Sequence, residues 1–408
     1  MQAPALSSAR LRRTVLLLGP AFVAAVAYVD PGNVGTNVAA GARFGYLLLW
    51  VIVVANVTAV LVQYLAAKVT IATGKTLPEL CQATYSRPVR VGLMVQSEAV
   101  AIATDLAEVI GGAIALQLLF DMPLVLGGVV TGAVSLVILG VQSRGQVRYE
   151  HAILLLLGIV LVGFLWSAIA SGPSLSGLAS GLVPRLEGVD SLVLATGILG
   201  ATVMPHAIWL HGALVRDRHG DVSADPVGRR RILAATRVDV GLAMVLAGTV
   251  NAAMLIAAAA ALQGSGAETI QDAYAGFGAV LGSVAALLFA LALLASALAS
   301  SSVGTYAGAV ILEGFGGRRI PLLVRRMIAL VPALGILAVG VDTTEALVIS
   351  QVVLSFGIPF ALWPLVALTG NRALMGDLVN RGRTTLLAGV VAAAISVLNV
   401  TLIVLLVA

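Results

Sequence analysis

The sequence predicts an all-α integral membrane protein with eleven transmembrane helices, two of them broken near their middle. Composition is the first indication, because the 408 residues are 60% hydrophobic and only 11% charged, whereas a soluble domain carries about 25% charged residues. The second indication is that apolar stretches of about 20 residues, the length that crosses a bilayer, recur along the whole chain. The third is that two of these stretches contain a short polar interruption.

The predicted spans follow one another with only short loops between them, so residues 1–408 are expected to form a single membrane domain. The first apolar run continues past Asp30 without a signal-peptide cleavage site, and it is therefore the first membrane helix. The eleven spans are placed at 14–41, 46–70, 91–119, 123–142, 152–171, 190–213, 232–262, 276–306, 325–341, 344–369 and 385–407.

The distribution of basic residues predicts the orientation in the membrane. With the N-terminus in the cytoplasm, the 24 lysines and arginines all fall on the cytoplasmic side except Arg43 and Arg185, as the positive-inside rule requires. An odd number of helices then places the C-terminus on the extracytoplasmic side. This topology accounts for the net charge of +5, so the expected partner of the surface is the lipid bilayer and not a nucleic acid.

Several kinds of site are excluded by the residues present. The single cysteine, Cys81, excludes a disulfide framework and a cysteine-rich metal site. The run Gly74-Lys75-Thr76 lacks the leading glycine of a phosphate-binding loop, because Val69 stands at that position, so no nucleotide partner is expected. No metallohydrolase motif and no Ser/His/Asp set appears, so we expect that the protein is not an enzyme.

The two interruptions are Asp30-Pro31-Gly32-Asn33 in the first span and Met204-Pro205-His206 in the sixth. Proline and glycine open the helical hydrogen-bond ladder, and the freed backbone groups need new partners at membrane depth. Each break lies in the first helix of a five-helix set, at about 14–171 and 190–369, with 385–407 as an additional helix. Because five is odd, the second set is inverted, and paired broken helices mark the substrate site of a secondary transporter.

The residues at the breaks indicate a transition-metal site. A carboxylate at membrane depth is expensive, so Asp30 is a candidate ligand, and Asn33 can supply a carbonyl oxygen from the same break. The thioether of Met204 adds little for Mg²⁺ or Ca²⁺ but favours softer metals. The alternatives are that Asp30 caps the resumed helix, that Asn33 bonds locally in the turn and that Met204 only fills space.

Two histidines flank the second break. His206 follows Pro205 directly, and we assign it to a proton or gating network, since imidazole can relay protons as well as bind a metal. His211 lies five residues later and faces another direction on a regular helix, so the two are not expected to ligate one ion together. His211 is interpreted as a hydrogen-bonding residue along the substrate route.

The third span carries Glu98, Asp105 and Glu108 on one helix face. Such a row inside a helical bundle indicates a proton path or a water-lined cavity. The alternative is that the acids neutralise Arg325 and Arg326 at the start of the ninth span, and the two interpretations are compatible.

The tenth span carries Gln351 and Ser355 four residues apart, ahead of a proline. They are expected either to line the substrate route or to form hydrogen bonds between helices.

The motifs at the two breaks, together with the run Ala103-Thr104-Asp105-Leu106-Ala107-Glu108, resemble those of the natural resistance-associated macrophage protein (Nramp) family over essentially the whole chain. The resemblance implies a leucine-transporter-type fold in the inner membrane. It also implies a proton-coupled symporter that imports Mn²⁺ or Fe²⁺, with Cd²⁺ and Co²⁺ as further substrates. The metal and the proton are then cargo and coupling ion, no cofactor is expected, and the protein is expected to be a monomer.

The resemblance also implies roles for individual residues. The metal ligands would be Asp30, Asn33 and Met204, joined by backbone carbonyls near Ala27 and Ala201 as the transporter changes state. Gln351 would approach the metal in some states. The proton network would consist of Asp105, Glu108, His206, Arg325 and Arg326. The sequence departs from the family pattern at Ala207 and Gly212, where members often carry Asn and Ser, and this concerns gating more than the choice of metal.

Two other functions agree less well with these residues. A sodium-coupled carrier of amino acids or other organic solutes on the same scaffold would need a first break rich in glycine and hydroxyl groups, and Asp30 with Met204 argues against it. A membrane enzyme or receptor would need a catalytic constellation that the sequence lacks.

Overall fold

The computed structural model describes residues 17–142, 145–316 and 321–407, and these residues form helices without any strand. The α-helices are α1 Pro20–Val26, α2 Pro31–Phe44, α3 Leu49–Thr73, α4 Leu77–Thr84, α5 Arg87–Phe120, α6 Leu124–Gln142, α7 Gln146–Ala170, α8 Leu175–Gly181, α9 Gly188–Thr202, α10 Pro205–His219, α11 Pro226–Leu262, α12 Ile270–Leu281, α13 Ser283–Gly314, α14 Leu322–Val339, α15 Thr343–Gly370, α16 Arg372–Met375 and α17 Gly382–Val407. Short 3₁₀ turns cover Ala27–Val29 and Gly376–Leu378.

In the described part of the chain, every predicted span falls mostly on helix, but the count of eleven is not established. Within the described ranges, nine helical segments are long and apolar enough to cross a membrane, with α9 and α10 taken together. The broken first segment and α14 are not among the nine. The basic residues predicted at the N-terminus and in two loops lie outside the described residues; they are Arg10, Arg12, Arg13, Arg144, Arg318 and Arg319.

The predicted start of the eighth span, at residue 276, is wrong. That position lies inside α12, and the spanning helix α13 begins only at Ser283. Gly282 separates the two helices with φ 91°, a backbone conformation that glycine adopts readily. Apolar residues continue on both sides of Gly282, so hydropathy alone merges two helices into one. The short connecting helices α4, α8 and α16 were likewise not predicted.

The two broken segments lie at the centre of the bundle. Helix α2 packs against α11, α5 packs against α13, and α9 packs against α15. Small residues permit the close approaches: a Cβ at Gly41 of α2 would lie 2.5 Å from the Leu255 carbonyl of α11, and one at Gly163 of α7 would lie 2.7 Å from the Leu288 carbonyl of α13. This is the close backbone contact expected between membrane helices.

The distribution of polar residues is that of a membrane protein. Large apolar side chains face outward, as at Leu155 on α7 and Leu386 on α17, each 69% exposed. Carboxylates are buried instead, as at Asp30 and Glu108, each 0% exposed. The ionisable side chains named here therefore lie inside the bundle, and the apolar side chains face the lipid.

Candidate metal site

The first break is a short irregular segment between α1 and α2. After α1 ends at Val26, residues 27–29 form one 3₁₀ turn, and Asp30 is extended with φ −73° and ψ 172°. Helix α2 then begins at Pro31. Proline disfavours the helical conformation in the residue before it and cannot donate a backbone hydrogen bond, so Pro31 accounts for the extended Asp30.

The Asp30 carboxylate has two different environments. Its Oδ1 atom accepts hydrogen bonds from the Asn33 backbone nitrogen at 2.7 Å and from Asn33 Nδ2 at 2.8 Å. The capping interpretation is therefore right for one oxygen. The Oδ2 atom is buried and has no hydrogen-bond partner within the described ranges. One carboxylate can thus cap α2 and still offer an oxygen to a ligand.

The second break lies directly beside the first. Helix α9 ends at Thr202, Met204 is extended with φ −61° and ψ 120°, and α10 begins at Pro205. Asn33 Nδ2 donates to the Ala201 carbonyl oxygen at 3.0 Å, which joins the two breaks. Met204 is 0% exposed, so the site is closed to solvent.

Three buried oxygen atoms at this junction have no hydrogen-bond partner among the residues described: Asp30 Oδ2, Asn33 Oδ1 and Gln351 Oε1. Gln351 reaches the junction because Gly32 has no side chain; a Cβ at Gly32 would lie 1.8 Å from Gln351 Nε2. Burying polar atoms without a partner costs free energy. A cation coordinated by these oxygens would remove that cost, so the donor set fits a metal ion.

The breaks carry a single carboxylate. In the described part of the chain no group of three or more His, Cys, Asp or Glu side chains could hold a metal. The available donors are instead one carboxylate, two amide oxygens, the Met204 thioether and backbone carbonyls. Such a mixture of hard and soft donors suits a first-row transition metal better than Mg²⁺ or Ca²⁺.

The acidic row on α5 is paired with the arginines of α14. Arg325 Nη1 lies 2.6 Å from Glu98 Oε2, and Arg326 Nη1 lies 3.8 Å from Asp105 Oδ1. Arg325 and Arg326 therefore pair with carboxylates of the acidic row, as one of the two interpretations of the sequence predicts. Asp105 and Glu108 lie deeper in the bundle than Glu98 and are almost completely buried.

A glycine on α13 makes room for the inner end of this row. A Cβ at Gly304 would lie 2.9 Å from Asp105 Oδ1 and 3.0 Å from Glu108 Oε2. Sequence reasoning missed Gly304, because the close approach of α5 and α13 is a tertiary contact with no local signal.

The two histidines of α10 have different positions. His206 follows the break, and its Nδ1 atom lies 3.4 Å from the hydroxyl of Thr104, the residue before Asp105. It therefore contacts α5, the helix that carries the acidic row. His211 is buried more than one turn farther along α10, and neither of its ring nitrogens has a hydrogen-bond partner among the described residues, so the hydrogen bond expected of it is not observed. The structure does not bring the two imidazoles to one ion.

Ala207 and Gly212, the two positions at which the sequence departs from the family pattern, are both buried inside the bundle. Ala207 is fully buried. Gly212 packs on α3, where a Cβ would lie 2.1 Å from the Thr70 hydroxyl oxygen, so a serine would fit only if the Thr70 side chain moved.

Ser355 does not face the junction. Its hydroxyl donates to Asn399 Oδ1 at 2.7 Å, and Asn399 Nδ2 donates to the Ser355 carbonyl at 2.8 Å. Of the two expectations for Ser355, the hydrogen bond between helices is the one observed, because α17 packs along α15 at this position. Gln351, one turn earlier, is the residue of the pair that reaches the breaks.

Sequence reasoning also missed the polar side chains that surround the first break. Asn251 on α11 and Ser296 on α13 bond to backbone carbonyls of the break, and Gln63 on α3 contacts the Tyr28 hydroxyl. Each is a single polar residue in an apolar helix. A weak signal was available, since an isolated Asn or Gln at membrane depth needs a partner.

The comparison with known families agrees with this arrangement. Residues 21–405 match the family described as natural resistance-associated macrophage protein-like. The divalent metal cation transporter MntH of Mycobacterium tuberculosis is 55% identical over 395 residues, which cover 96% of this chain and 92% of the relative. MntH of Bacillus subtilis is 47% identical over 390 residues, which cover 95% and 91%.

Solved structures give the same result for the fold. A manganese transporter of Eremococcus coleocola has a TM-score of 0.86 at 32% identity, covering 98% of this chain and 88% of that chain. Mhp1, a nucleobase-cation-symport-1 family transporter, has a TM-score of 0.61 at 17% identity, covering 95% and 90%, which is a likeness of fold alone. These neighbours confirm the predicted fold class of a helical membrane protein with two unwound helices.

The relatives named above are transporters, which confirms that the chain is a multi-pass membrane protein and not an enzyme. The family match covers nearly the whole described chain, and both broken-helix motifs lie inside it. The chain therefore belongs to the natural resistance-associated macrophage protein (Nramp) family.

Proposed function

We propose that this protein is a proton-coupled symporter that imports divalent transition metals, Mn²⁺ and Fe²⁺ with Cd²⁺ and Co²⁺ as further substrates, by alternating access. The observation that carries the proposal is the junction of the two breaks, where unpartnered buried oxygens lie in a closed site together with Met204. The relatives' names, divalent metal cation transporter and manganese transporter, support the same substrate class.

The metal would be held by Asp30 Oδ2, Asn33 Oδ1 and the Met204 sulfur, with Gln351 Oε1 as a further donor. The backbone carbonyls of Ala27 and Ala201 complete the proposed set. The Ala201 carbonyl accepts a hydrogen bond from Asn33 Nδ2 in this state. It becomes a metal ligand only after that bond breaks, so metal binding at Ala201 is tied to movement of α9 relative to α2.

Protons would move along the row on α5. Asp105 and Glu108 are buried carboxylates on that helix, and His206, which follows the second break, contacts Thr104 on the same helix. Arg325 and Arg326 supply positive charge that stabilises the ionised carboxylates. The proton path is thus beside the metal site but uses different side chains, so the two fluxes can be separated by mutation.

Alternating access would act through the inverted repeats, about 14–171 and 190–369. Their broken helices meet at the junction, so rocking one set against the other exposes the same site to either side. We place the protein in the inner membrane of a bacterial-type cell, with a cytoplasmic N-terminus and an extracytoplasmic C-terminus, and we expect a monomer to be the working unit.

The test is Mn²⁺ uptake into proteoliposomes that contain a pH-sensitive dye. The parental protein should take up Mn²⁺ and acidify the lumen. Asp30→Ala should lower Mn²⁺ uptake by about tenfold or more while the protein still inserts, because the only carboxylate of the site is removed. Asp190→Ala, which removes an exposed carboxylate from the first turn of α9, is the matched control. Uptake by Asp30→Ala at the parental rate would reject the site.

A further inference from the structure

The first break frees two backbone carbonyls at the centre of the bundle. In an unbroken helix the Val29 carbonyl would accept from the backbone nitrogen of Asn33, four residues later. That nitrogen donates instead to Asp30 Oδ1 at 2.7 Å. The carbonyl must therefore find another partner, because no water or lipid headgroup is available at this depth.

Side chains from two other helices supply the missing donors. Ser296 on α13 donates its hydroxyl to the Val29 carbonyl oxygen at 2.5 Å. Asn251 on α11 donates Nδ2 to the Tyr28 carbonyl oxygen at 2.7 Å. Both side chains are 0% exposed. Two consecutive carbonyls of the turn are thus held from two different helices.

Asn251 also connects this turn to the resumed helix. Its Oδ1 atom accepts from Asn37 Nδ2 on α2 at 2.8 Å. A single carboxamide therefore bonds the segment before Asp30 and the helix after it. This bridging fixes the angle at which the chain passes through Asp30.

We propose that Ser296 and Asn251 are positioning residues for the transported metal. By holding the carbonyls of Tyr28 and Val29, they fix the turn that precedes Asp30 and so the position of its free Oδ2 atom in the site. They also leave Ala27 as the residue of the 3₁₀ turn whose carbonyl no side chain in the described ranges bonds, and Ala27 is the proposed backbone ligand. This inference rests on the proposed function, because it concerns how the same site is shaped.

The consequence is a specific defect in metal binding. Ser296→Ala removes the donor to the Val29 carbonyl, so the turn relaxes to satisfy that carbonyl and Asp30 moves with it. Ligands need placement within about 0.5 Å, so a small shift is enough to weaken binding. We expect the apparent KM for Mn²⁺ to rise by about fivefold or more, with the maximal rate changed by about twofold or less.

Two further variants separate positioning from general packing. Ser296→Thr keeps the hydroxyl and should restore the KM to within about twofold of the parental value. Ser167→Ala is the matched control, because Ser167 is equally buried on α7 but donates to the Gly163 carbonyl of its own helix at 3.0 Å. It should leave the KM for Mn²⁺ unchanged.

Asn251→Ala should also raise the KM for Mn²⁺. Because Ser296 and Asn251 restrain the same turn, the double alanine variant should have a higher KM for Mn²⁺ than either single variant. Its fold-increase in KM should be smaller than the product of the two single fold-increases. Full multiplication of the two effects would contradict a shared role.

The measurements are Mn²⁺ uptake kinetics in proteoliposomes and Mn²⁺-dependent thermal stabilisation of the purified full chain. The inference is overturned if Ser296→Ala binds and transports Mn²⁺ with the parental KM, or if Ser167→Ala shows the same change. If Ser296→Ala does not fold, Ser296→Thr and Ser296→Cys decide, since the weaker thiol donor should raise the KM and the hydroxyl should not. Failure of the proposed function looks different, because then the parental protein itself takes up no Mn²⁺.

Discussion

Asp105→Asn is expected to separate proton movement from metal movement. The substitution keeps the volume of the side chain and removes its charge, and Asp105 belongs to neither break. If the carboxylate carries protons, lumen acidification should fall more than Mn²⁺ uptake. The ratio of protons to metal should drop to about half of the parental value or less, since one titratable site of the path is lost.

The structure also limits the cost in stability. Arg326 Nη1 and Asp105 Oδ1 are 3.8 Å apart, which corresponds to about 4 kcal/mol at an effective dielectric constant of about 20. Desolvation of both groups offsets part of that energy, and the amide oxygen of asparagine keeps part of the attraction to Arg326. Removing one partner of a buried ion pair costs about 3–5 kcal/mol, and we expect a loss near the lower end of that range because asparagine keeps an oxygen beside Arg326.

Both fluxes should be measured in the same vesicles, with radioactive Mn²⁺ outside and a pH dye inside. The matched control is Glu79→Gln on α4, which neutralises a carboxylate paired with Arg216 at 2.8 Å away from the acidic row. If Asp105 only neutralises Arg326, then Asp105→Asn lowers thermal stability and both fluxes fall in constant proportion. That result would refute the reasoning.

Two further substitutions test the site and its surroundings. Gly32→Ala should lower Mn²⁺ uptake by about tenfold, because its methyl group would lie 1.8 Å from Gln351 Nε2 and displace the Gln351 side chain. Gly35→Ala, whose Cβ would lie 3.4 Å from its nearest neighbour, is the control. Equal uptake by the two variants would contradict a role for Gln351. On α12, hydrogen bonds from Thr269 hold the pKa of Asp272 below its usual range. The ionised carboxylate therefore stabilises the folded protein at pH values above the unfolded pKa of about 3.9. This stabilisation is lost as the pH falls through the lower pKa of the folded state. Asp272→Ala should therefore be less thermostable than the parent at pH 7 and should approach it in acid, whereas a constant difference at all pH values would contradict this assignment.

The sequence predicted the parts of the site that have local causes. Pro31 and Pro205 break their helices by their own chemistry, so the two breaks and their polar residues could be located without coordinates. Asp30 was expected either to cap α2 or to bind a metal, and the structure gives its two oxygens different environments. The contact between α5 and α14 could be predicted because the buried carboxylates of α5 need partners and Arg325 and Arg326 are available on α14.

The parts that the sequence did not predict depend on tertiary contacts. Asn251 and Ser296 are single polar residues in long apolar helices, and only packing shows which carbonyl each one reaches. Gly304 has no local signature, because its role is to leave space for two carboxylates from another helix. Gly282 was missed for a different reason: hydropathy continues across it, and only its positive φ separates α12 from α13.

The central claim is that a transition metal binds where the two breaks meet, with Met204 as a ligand. X-ray absorption spectroscopy of the Cd²⁺-loaded protein tests it most directly, because a sulfur ligand is distinguished from oxygen by its longer bond and stronger scattering. We predict one sulfur and several oxygen neighbours in the parental protein, and oxygen neighbours alone in Met204→Ala. A Cd²⁺ shell without sulfur in the parental protein, or a sulfur that persists in Met204→Ala, would contradict the account.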